Sequence, residues 1–427
     1  MGHNVYLTGP AGSGKTFLLN KFISFLKNKN VKIGITASTG IAATHLGGIT
    51  LDSWSGIGIR DRLSDTEIEE MKNKLYLKIR YLGAKVLIID EISMLSSSKF
   101  DLLDTVCRKI RGINMPFGGI QIVLCGDFFQ LPPVGDNRNQ ANFIYKSAIW
   151  PKMNLKVCYL DQPYRQSDPE FLRVLNALRR NEITDEILQI LIKTIGQKLE
   201  TNIPPVKLYT HNVDVEAINN EELIRLNGEI HTFQMETKGV PVLTEMIKKS
   251  CLAPEKLQLK KDAVVMFVRN NLKEGYVNGT MGKVVGFTRQ GYPVVETTEK
   301  KKITAVPVAF TIEENNIVKA QVSQIPLRLA WAITVHKSQG MTISQAEIDL
   351  GKSFLTGMGY VAMSRMKSLS GLRLLDLNKI ALTVNPEVIG IDKNLRELSV
   401  KETIAFKELS WFRKIMIKRK RLYQLTA

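Results

Sequence analysis

A glycine-rich segment near the start of the chain has the residue types and spacing of a phosphate-binding loop. Its residues are Gly9, Pro10, Ala11, Gly12, Ser13, Gly14, Lys15 and Thr16. An apolar run precedes it and a helical pattern follows, and in that context the glycines let backbone N–H groups surround phosphates at a helix N-terminus. Lys15 is expected to reach the β- and γ-phosphates, and the Thr16 hydroxyl to bind Mg²⁺. The alternative is a glycine loop that arose by chance.

Two further segments could complete an ATPase site. The apolar run Val86–Ile89 ends in Asp90 and Glu91. Asp90 is expected to hold Mg²⁺, directly or through water, while Glu91 orients and deprotonates the attacking water. Gln130 follows another strand candidate, and its amide could sense a γ-phosphate; an ordinary strand and turn is the alternative. Together the segments predict a site for ATP and Mg²⁺.

The elements that must position these residues alternate between strand and helix, which predicts an α/β protein with doubly wound parallel sheets. The strand candidates of the first lobe are Val5–Thr8, Lys32–Thr36, Val86–Ile89 and Gln121–Leu124. Those of a second lobe are Val157–Leu160, Val206–Tyr209, Leu327–Thr334, Ala346–Leu350 and Leu372–Leu375. Residues 171–198 are predicted to be helical. The second lobe has no phosphate loop, so we do not expect it to hold a nucleotide by itself.

Changes in pattern divide the chain further. Short β-rich runs with Gly, Asn and Lys turns predict a small antiparallel barrel within the second lobe. The Lys418–Arg421 cluster is predicted to be a solvated charged tail, the alternative being phosphate binding. The predicted domains are a first lobe at 1–156 with an insertion at 46–80, a second lobe at 157–256 and 325–400, a β-rich insertion at 257–324, and a basic helical tail at 401–427.

Composition narrows the class of protein. The chain of 427 residues has 59 Lys and Arg against 41 Asp and Glu, a net charge of +18 that suits a nucleic-acid partner. It has no apolar run near 18 residues and no targeting segment, so we expect no membrane span. Its four cysteines form no CxxC pair, which indicates reduced thiols rather than disulfides or zinc. The expected location is intracellular, in the cytoplasm or nucleoid if the source is a prokaryote.

Read in order, the motifs resemble the Pif-one (Pif/RecD-like) family of superfamily 1B helicases. The match runs from about residue 4 to 376. The matching segments are Gly9–Thr16, Thr36–Ala43, Ile89–Leu95, Gly126–Pro133, Tyr164–Asp168, Val277–Thr280, Ala330–Thr342 and Tyr360–Arg365.

The resemblance implies two RecA-like lobes, with a wedge at 46–80 and an SH3-like insertion at 257–324. It places ATP in the cleft between the lobes. Arg165 and Arg365 would stabilise the charge of the transferring phosphoryl group, a role that suits the fixed cation of arginine. Gln339 and Gly340 would contact the γ-phosphate and couple its state to motion.

The resemblance also implies a path for single-stranded DNA across both lobes. The candidate contacts are Thr36, Ser38, Thr39, Trp54, Pro133, Thr334, His336, Lys337 and Ser338. Hydroxyl and N–H groups at a strand end can bind backbone phosphate. An exposed Trp54 would offer a stacking platform for bases, whereas a buried Trp54 would be part of the core.

The implied function is an ATP-dependent DNA helicase that moves 5′ to 3′ as a monomer. It would act on single strands, junctions, duplex or G-quadruplex DNA, in repair, recombination and telomere maintenance. Two alternatives stay open: the motor subunit of a larger nuclease or conjugation complex, and a nucleotide-gated clamp that binds single-stranded DNA without unwinding.

Three positions depart from the family pattern. None of the eight residues before Gly9 is the Gln that reads adenine in this family. Asp52 stands where His is usual, and its carboxylate would repel DNA phosphate. Met358 and Gly359 replace the usual Gln-Ala pair, which removes an amide near the nucleotide. These departures put two properties in question: the preference for ATP over other nucleotides, and the contact with DNA at residue 52.

Overall fold

The chain divides into two compact units. The computed structural model describes residues 2–133, 141–199, 202–210, 214–314 and 317–426. The first unit contains Met1–Pro163, Ile312–Val318 and Gly390–Ala427, and the second contains Tyr164–Thr311 and Lys319–Ile389.

A parallel sheet is the centre of the first unit. Its strands are β1 (Val5–Thr8), β2 (Ile33–Ala37), β3 (Ile49–Thr50), β4 (Val86–Asp90), β5 (Gln121–Cys125) and β6 (Lys156–Tyr159). The order is β3-β2-β4-β5-β1-β6, and every described pair is parallel. All five residues of β4 are buried, as expected for a strand with both faces covered.

Helices connect the successive strands β1 to β5 of this sheet. They are α1 (Lys15–Lys27), α2 (Gly40–His45), α3 (Leu51–Ser55), α4 (Asp65–Asn73), α5 (Leu75–Gly83) and α6 (Ser97–Arg111). Parallel strands end at the same edge of a sheet, and β4, β5 and β1 are consecutive in the order. That edge therefore brings together the segments after these three strands, where sheets of this kind bind ligands.

Two predicted boundaries in the first unit differ from the structure. The strand predicted at Val157–Leu160 is β6, which pairs with β1 rather than opening the second lobe. Its apolar pattern could not show which sheet it joins, because strands of both sheets share that pattern. The insertion predicted from residue 46 also begins later, since β3 belongs to the main sheet through its pairing with β2.

The second unit contains a smaller parallel sheet. Its strands are β7 (Val206–Tyr209), β18 (Ala332–Thr334), β19 (Ala346–Leu350) and β20 (Leu372–Leu377), in the order β18-β7-β19-β20. Its helices are α7 (Pro169–Arg180), α8 (Asp185–Lys193), α9 (Val215–Arg225), α10 (Pro241–Ser250) and α11 (Met358–Met363). The parallel sheets confirm the predicted α/β class. The helical stretch predicted at 171–198 is two helices, α7 and α8.

The antiparallel strands, predicted at 257–324, begin earlier, at His231, and lie in the second unit except for Ile312–Val318, which belongs to the first. They are β8 (His231–Gln234), β9 (Glu236–Gly239), β10 (Lys256–Leu259), β11 (Val264–Phe267), β12 (Met281–Phe287), β13 (Pro293–Thr297), β14 (Lys302–Thr304), β15 (Val308–Glu314), β16 (Ile317–Gln324) and β17 (Leu327–Leu329). Five of them form the sheet β14-β13-β12-β11-β17 around a buried cluster that includes Val265, Phe267 and Val284. The single strand predicted at Leu327–Thr334 is two: β17 ends this antiparallel sheet and β18 joins the parallel one.

The C-terminal tail consists of two helices, α12 (Pro386–Glu408) and α13 (Trp411–Thr426). A solvated tail was predicted, but part of the tail packs on the rest of the first unit. Leu425 joins the core cluster that contains Leu7 and Leu19. Arg396 donates to Asp161 and lies over the ring of Tyr159. These contacts join residues more than 200 positions apart, which no local pattern could show.

Among the helices that the structure describes, none has the length and apolar character needed to cross a bilayer.

Candidate nucleotide site and nucleic-acid interface

The glycine-rich segment after β1 forms a tight loop that ends at the N-terminus of α1. Gly9 has φ +142°, and a Cβ there would lie 2.2 Å from the carbonyl oxygen of Leu160, so only glycine fits. Gly14 precedes α1 in the left-handed conformation, with φ +86°. The loop can therefore turn its N–H groups inward, the arrangement that binds phosphate.

The polar side chains of this loop suit a phosphate ligand. The Lys15 ammonium donates to the carbonyl oxygens of Gly9 at 2.8 Å and Pro10 at 2.9 Å, which places the cation over the loop. Ser13 is 2% exposed, and its hydroxyl has no hydrogen-bond partner among the described residues. A buried hydroxyl without a partner is costly unless a ligand completes its bonding. Thr16 is exposed in the first turn of α1, where its hydroxyl can reach a cation.

Asp90 and Glu91 lie at the carboxyl end of β4, as predicted. Burial raises the pKa of the Asp90 carboxyl, and hydrogen bonds from the Cys125 thiol and the Glu91 N–H together with nearby Lys15 oppose that rise. Glu91 has φ +53°, a left-handed conformation that is costly for a residue other than glycine. Thr16 and Asp90 together offer the oxygen ligands that Mg²⁺ prefers.

Ser38 connects the end of β2 to this acidic pair. Its N–H donates to the carbonyl oxygen of Asp90 at 3.1 Å, and its hydroxyl donates to that of Glu91 at 2.6 Å. Gln130 is buried in the segment after β5, at the same edge of the sheet. The first unit therefore holds the loop, the acid pair and Gln130 on neighbouring strands.

In the second unit, Arg165 is held by one group from each of two other motifs. Its Nε donates to Thr342 Oγ1 at 3.1 Å and its Nη1 donates to the Ser364 carbonyl at 2.8 Å. Gln166 donates to the same carbonyl at 3.0 Å. The half-buried guanidinium is therefore fixed in one orientation.

Arg365 and Gln339 are both buried in the second unit. Arg365 is 2% exposed and donates to the Val361 carbonyl at 3.0 Å and to Ser364 Oγ at 3.2 Å. It would have to leave these bonds to contact a phosphate directly, so its catalytic role stays a prediction. The Gln339 Nε2 has no partner among the described residues, which is compatible with a polar ligand. Gly340 is exposed, with φ +76°.

Four of the predicted DNA contacts have buried side chains in this structure, and their roles in DNA binding stay predictions. Trp54 is 4% exposed and packs against Tyr81, with ring centroids 5.0 Å apart, so it cannot act as an exposed stacking platform. Thr36 donates to the Ile88 carbonyl and Ser338 to the Val335 carbonyl, both as fully buried groups. Pro133 is also buried. The partners of Thr36 and Trp54 lie 52 and 27 positions away, whereas Ser338 bonds within its own turn.

The other predicted DNA contacts have surface that a strand could reach. Thr39 caps α2 by accepting the Ala42 N–H. Thr334 accepts the Lys337 N–H, and Lys337 is ion-paired with Glu216 at 3.1 Å. His336 is exposed. Their roles in DNA binding stay predictions.

The carboxylate of Asp52, where the family pattern has His, is ion-paired. Lys99 Nζ lies 2.6 Å from Asp52 Oδ1. The paired cation offsets the negative charge that would repel a DNA phosphate at this point.

Sequence reasoning missed Cys125 and Thr342, which hold other site residues in place. The thiol of Cys125 bonds Asp90, and burial raises the pKa of that thiol well above its usual range, so it stays a hydrogen-bond donor. Thr342 accepts from Arg165. The strand order could have indicated Cys125, because β5 ends beside β4.

The fold and the first unit's loop define a P-loop nucleotide-binding protein with a parallel α/β core. Residues 1–197 match the family model for PIF1-like helicases, and residues 243–287 match that of the 2B domain of the DNA helicase Pif1. A Pif1 ATP-dependent DNA helicase of Psychrobacter sp. is 39% identical, over 96% of this chain and 71% of that protein. The chain therefore belongs to the PIF1-like helicase family.

Solved structures agree with this assignment. Bacteroides sp. Pif1 in complex with ADP-AlF4 is 29% identical, with a TM-score of 0.76 over 92% of this chain and 94% of that chain. Bacteroides Pif1 with ADP-AlF3 and single-stranded DNA is 28% identical, with a TM-score of 0.59 over 92% and 94%. The chain spans 61% to 71% of the length of the first curated relatives it matches.

Proposed function

We propose that this protein is an ATP-dependent helicase that moves on single-stranded DNA and separates duplex DNA. The observation that carries this proposal is the loop with Lys15 across it, placed at the same sheet edge as Asp90 and Glu91. The family supports single-stranded DNA as the substrate, because one relative named as a Pif1 helicase was solved with a nucleotide analogue and single-stranded DNA. The net charge of +18 favours the same partner.

Each residue of the site has a defined part in hydrolysis. Thr16 and Asp90 would hold Mg²⁺, which offsets phosphate charge when bound. Lys15 binds the β- and γ-phosphates, Glu91 orients and deprotonates water, and Gln130 contacts the γ-phosphate. Arg165 and Arg365 stabilise charge on the transferring group, with Gln339 and Gly340 as further γ-phosphate contacts. A conformation favoured by the intact triphosphate would then give way to another after hydrolysis, and that change drives motion.

Ser38 links DNA binding to hydrolysis in this proposal. Its two hydrogen bonds join the predicted DNA-binding segment after β2 to the backbone of Asp90 and Glu91. We expect Ser38→Ala to keep basal ATP hydrolysis within about twofold but to lose most of its stimulation by single-stranded DNA. Ser24→Ala, an exposed change on α1, is the matched control. Full stimulation in Ser38→Ala would show that the hydroxyl does not couple the two sites.

A strand-displacement assay tests the function itself. Duplexes with a 5′ or a 3′ single-stranded tail are mixed with the protein, ATP and Mg²⁺, and a G-quadruplex substrate is run in parallel. We expect displacement on the 5′-tailed duplex and the G-quadruplex, and none on the 3′-tailed duplex. If only the 3′-tailed duplex is displaced, the protein moves 3′ to 5′, and the proposed polarity is wrong.

The same assay separates the alternative functions. If single-stranded DNA stimulates ATP hydrolysis but no strand is displaced, the result would favour a translocating motor subunit of a larger complex. Hydrolysis that single strands leave unchanged would favour a nucleotide-gated clamp. We propose a monomer that acts at single-strand and duplex junctions inside the cell, in the cytoplasm or nucleoid if the source is a prokaryote. Sedimentation with and without DNA tests the monomeric state.

A further inference from the structure

Helix α13 carries an exposed face that the motifs do not explain. The helix has six Lys and Arg residues and no Asp or Glu. Phe412, Met416, Arg419 and Tyr423 follow one another at spacings of four, three and four residues, so they form a single ridge along the helix. We call this ridge, with Arg413 and Lys420 beside it, the C-terminal aromatic face.

The opposite side of α13 fixes the helix on the first unit. Leu425 is buried in the core cluster, and Arg421 donates to Gln121 Oε1 at 2.8 Å. Lys418 lies 5.3 Å from the centroid of the Phe25 ring. Because three side chains across two turns make these contacts, the C-terminal aromatic face is held outward.

The face exposes aromatic rings and cations together. Phe412 is 67% exposed and Tyr423 is 76% exposed. The two rings lie eleven residues apart, about 16 Å along a helix. Arg413, Arg419 and Lys420 are exposed around them. Met416, between the two rings on the same ridge, is 57% exposed, and contiguous exposed apolar patches rimmed by polar residues commonly mark interaction sites.

We propose that the C-terminal aromatic face is a binding site for single-stranded nucleic acid on the first unit, separate from the strand-end segments at Ser38 and Thr39. The cations match the phosphates of a strand, and the rings provide stacking surfaces for bases of any sequence. A purely electrostatic surface would not need the rings, and an acidic protein partner would not need a planar stacking surface. If the protein is the proposed helicase, this site would strengthen its binding to the DNA strand. Binding of nucleic acid at the site does not require ATP hydrolysis.

Binding of a fluorescent dT oligonucleotide to the full chain, without nucleotide, tests the proposal. The triple variant Arg413→Gln, Arg419→Gln and Lys420→Gln should lower the slope of log affinity against log salt by about 2, because each phosphate contact on a single strand contributes about 0.7. The matched control removes three exposed cations elsewhere, through Lys29→Gln, Lys193→Gln and Lys249→Gln, and should keep the parent slope.

The rings are tested separately. Phe412→Ala and Tyr423→Ala should each weaken binding about tenfold, the loss of one stacked base. Phe354→Ala, an exposed ring in the second unit, is the control and should bind as the parent does. Phe412→Trp and Arg419→Lys keep a ring and a charge and should restore binding, which separates these losses from a folding defect.

Two outcomes would overturn the proposal. One is that the ring variants and the cation variant bind the dT oligonucleotide with the affinity and the salt dependence of the parent. The other is loss of binding to phosphatidylserine vesicles in these variants with DNA binding unchanged, which would assign the face to an anionic membrane surface. A failure of the helicase proposal is distinguishable from a failure of this one, because a Lys15→Ala protein that does not hydrolyse ATP should still bind the dT oligonucleotide through this face.

Discussion

Replacing Lys15 with alanine is expected to abolish ATP hydrolysis and strand displacement. The ammonium lies over the loop carbonyls of Gly9 and Pro10, where it would meet the terminal phosphates of ATP. Removing one donor aimed at developing charge costs roughly 100- to 1,000-fold in turnover, and this donor also binds the ground state. Turnover is measured by phosphate release at saturating single-stranded DNA.

Lys21→Ala is the matched control for Lys15. It removes an exposed lysine from the same helix, where the ammonium lies 4.5 Å from the centroid of the Phe17 ring. We expect turnover within about twofold of the parent, since a single exposed charge contributes little. Normal hydrolysis in Lys15→Ala, with Lys21→Ala unchanged, would refute the assignment of the glycine-rich loop as the nucleotide site.

Replacing Arg165 with alanine is expected to lower kcat by roughly 100-fold or more while nucleotide binding is retained. The guanidinium is fixed by Thr342 and the Ser364 carbonyl, so its charge has a defined position before any ligand binds. Arg165→Lys should recover little, because lysine cannot form both bonds with a planar fork. Binding of a fluorescent ATP analogue and the separate values of kcat and KM distinguish catalysis from affinity.

Arg173→Ala is the control for this variant. Arg173 is exposed on α7 and ion-paired with Glu186 at 2.8 Å. Its loss should leave kcat and KM unchanged. If Arg165→Ala also turns over normally, Arg165 has a structural role within the second unit. Arg365 is less suited to the same test, since removing a nearly fully buried cation also leaves its hydrogen-bond partners unsatisfied.

The predictable part of the site consists of short contiguous segments. Gly9 to Thr16 lie in one loop whose function depends on backbone N–H groups, and Asp90 and Glu91 end one apolar strand. Local chain order was therefore enough to place them at a common sheet edge. The antiparallel character of the insertion was predictable for the same reason, but its extent was not, because β8 and β9 lie before the predicted start at residue 257.

The less predictable part depends on which distant residues cover a side chain. Trp54 and Thr36 are predicted DNA contacts, yet Trp54 packs against Tyr81, 27 positions away, and Thr36 bonds the Ile88 carbonyl, 52 positions away. Asp52 is paired with Lys99, 47 positions away. Packing between elements determines which side chains are buried or paired in this way, and the spacing of residues along the chain does not indicate that packing.

The sequence by itself indicated the chemistry of this protein: a phosphate-binding loop, an acidic pair at the end of an apolar strand, and an excess of positive charge. The tertiary structure decided which sheet β6 joins, which motif side chains have accessible surface, and that α13 is held on the first unit with its aromatic face outward. The reason is physical. A phosphate loop is built from neighbouring backbone groups, whereas accessibility and docking result from contacts between residues that the chain separates by tens to hundreds of positions.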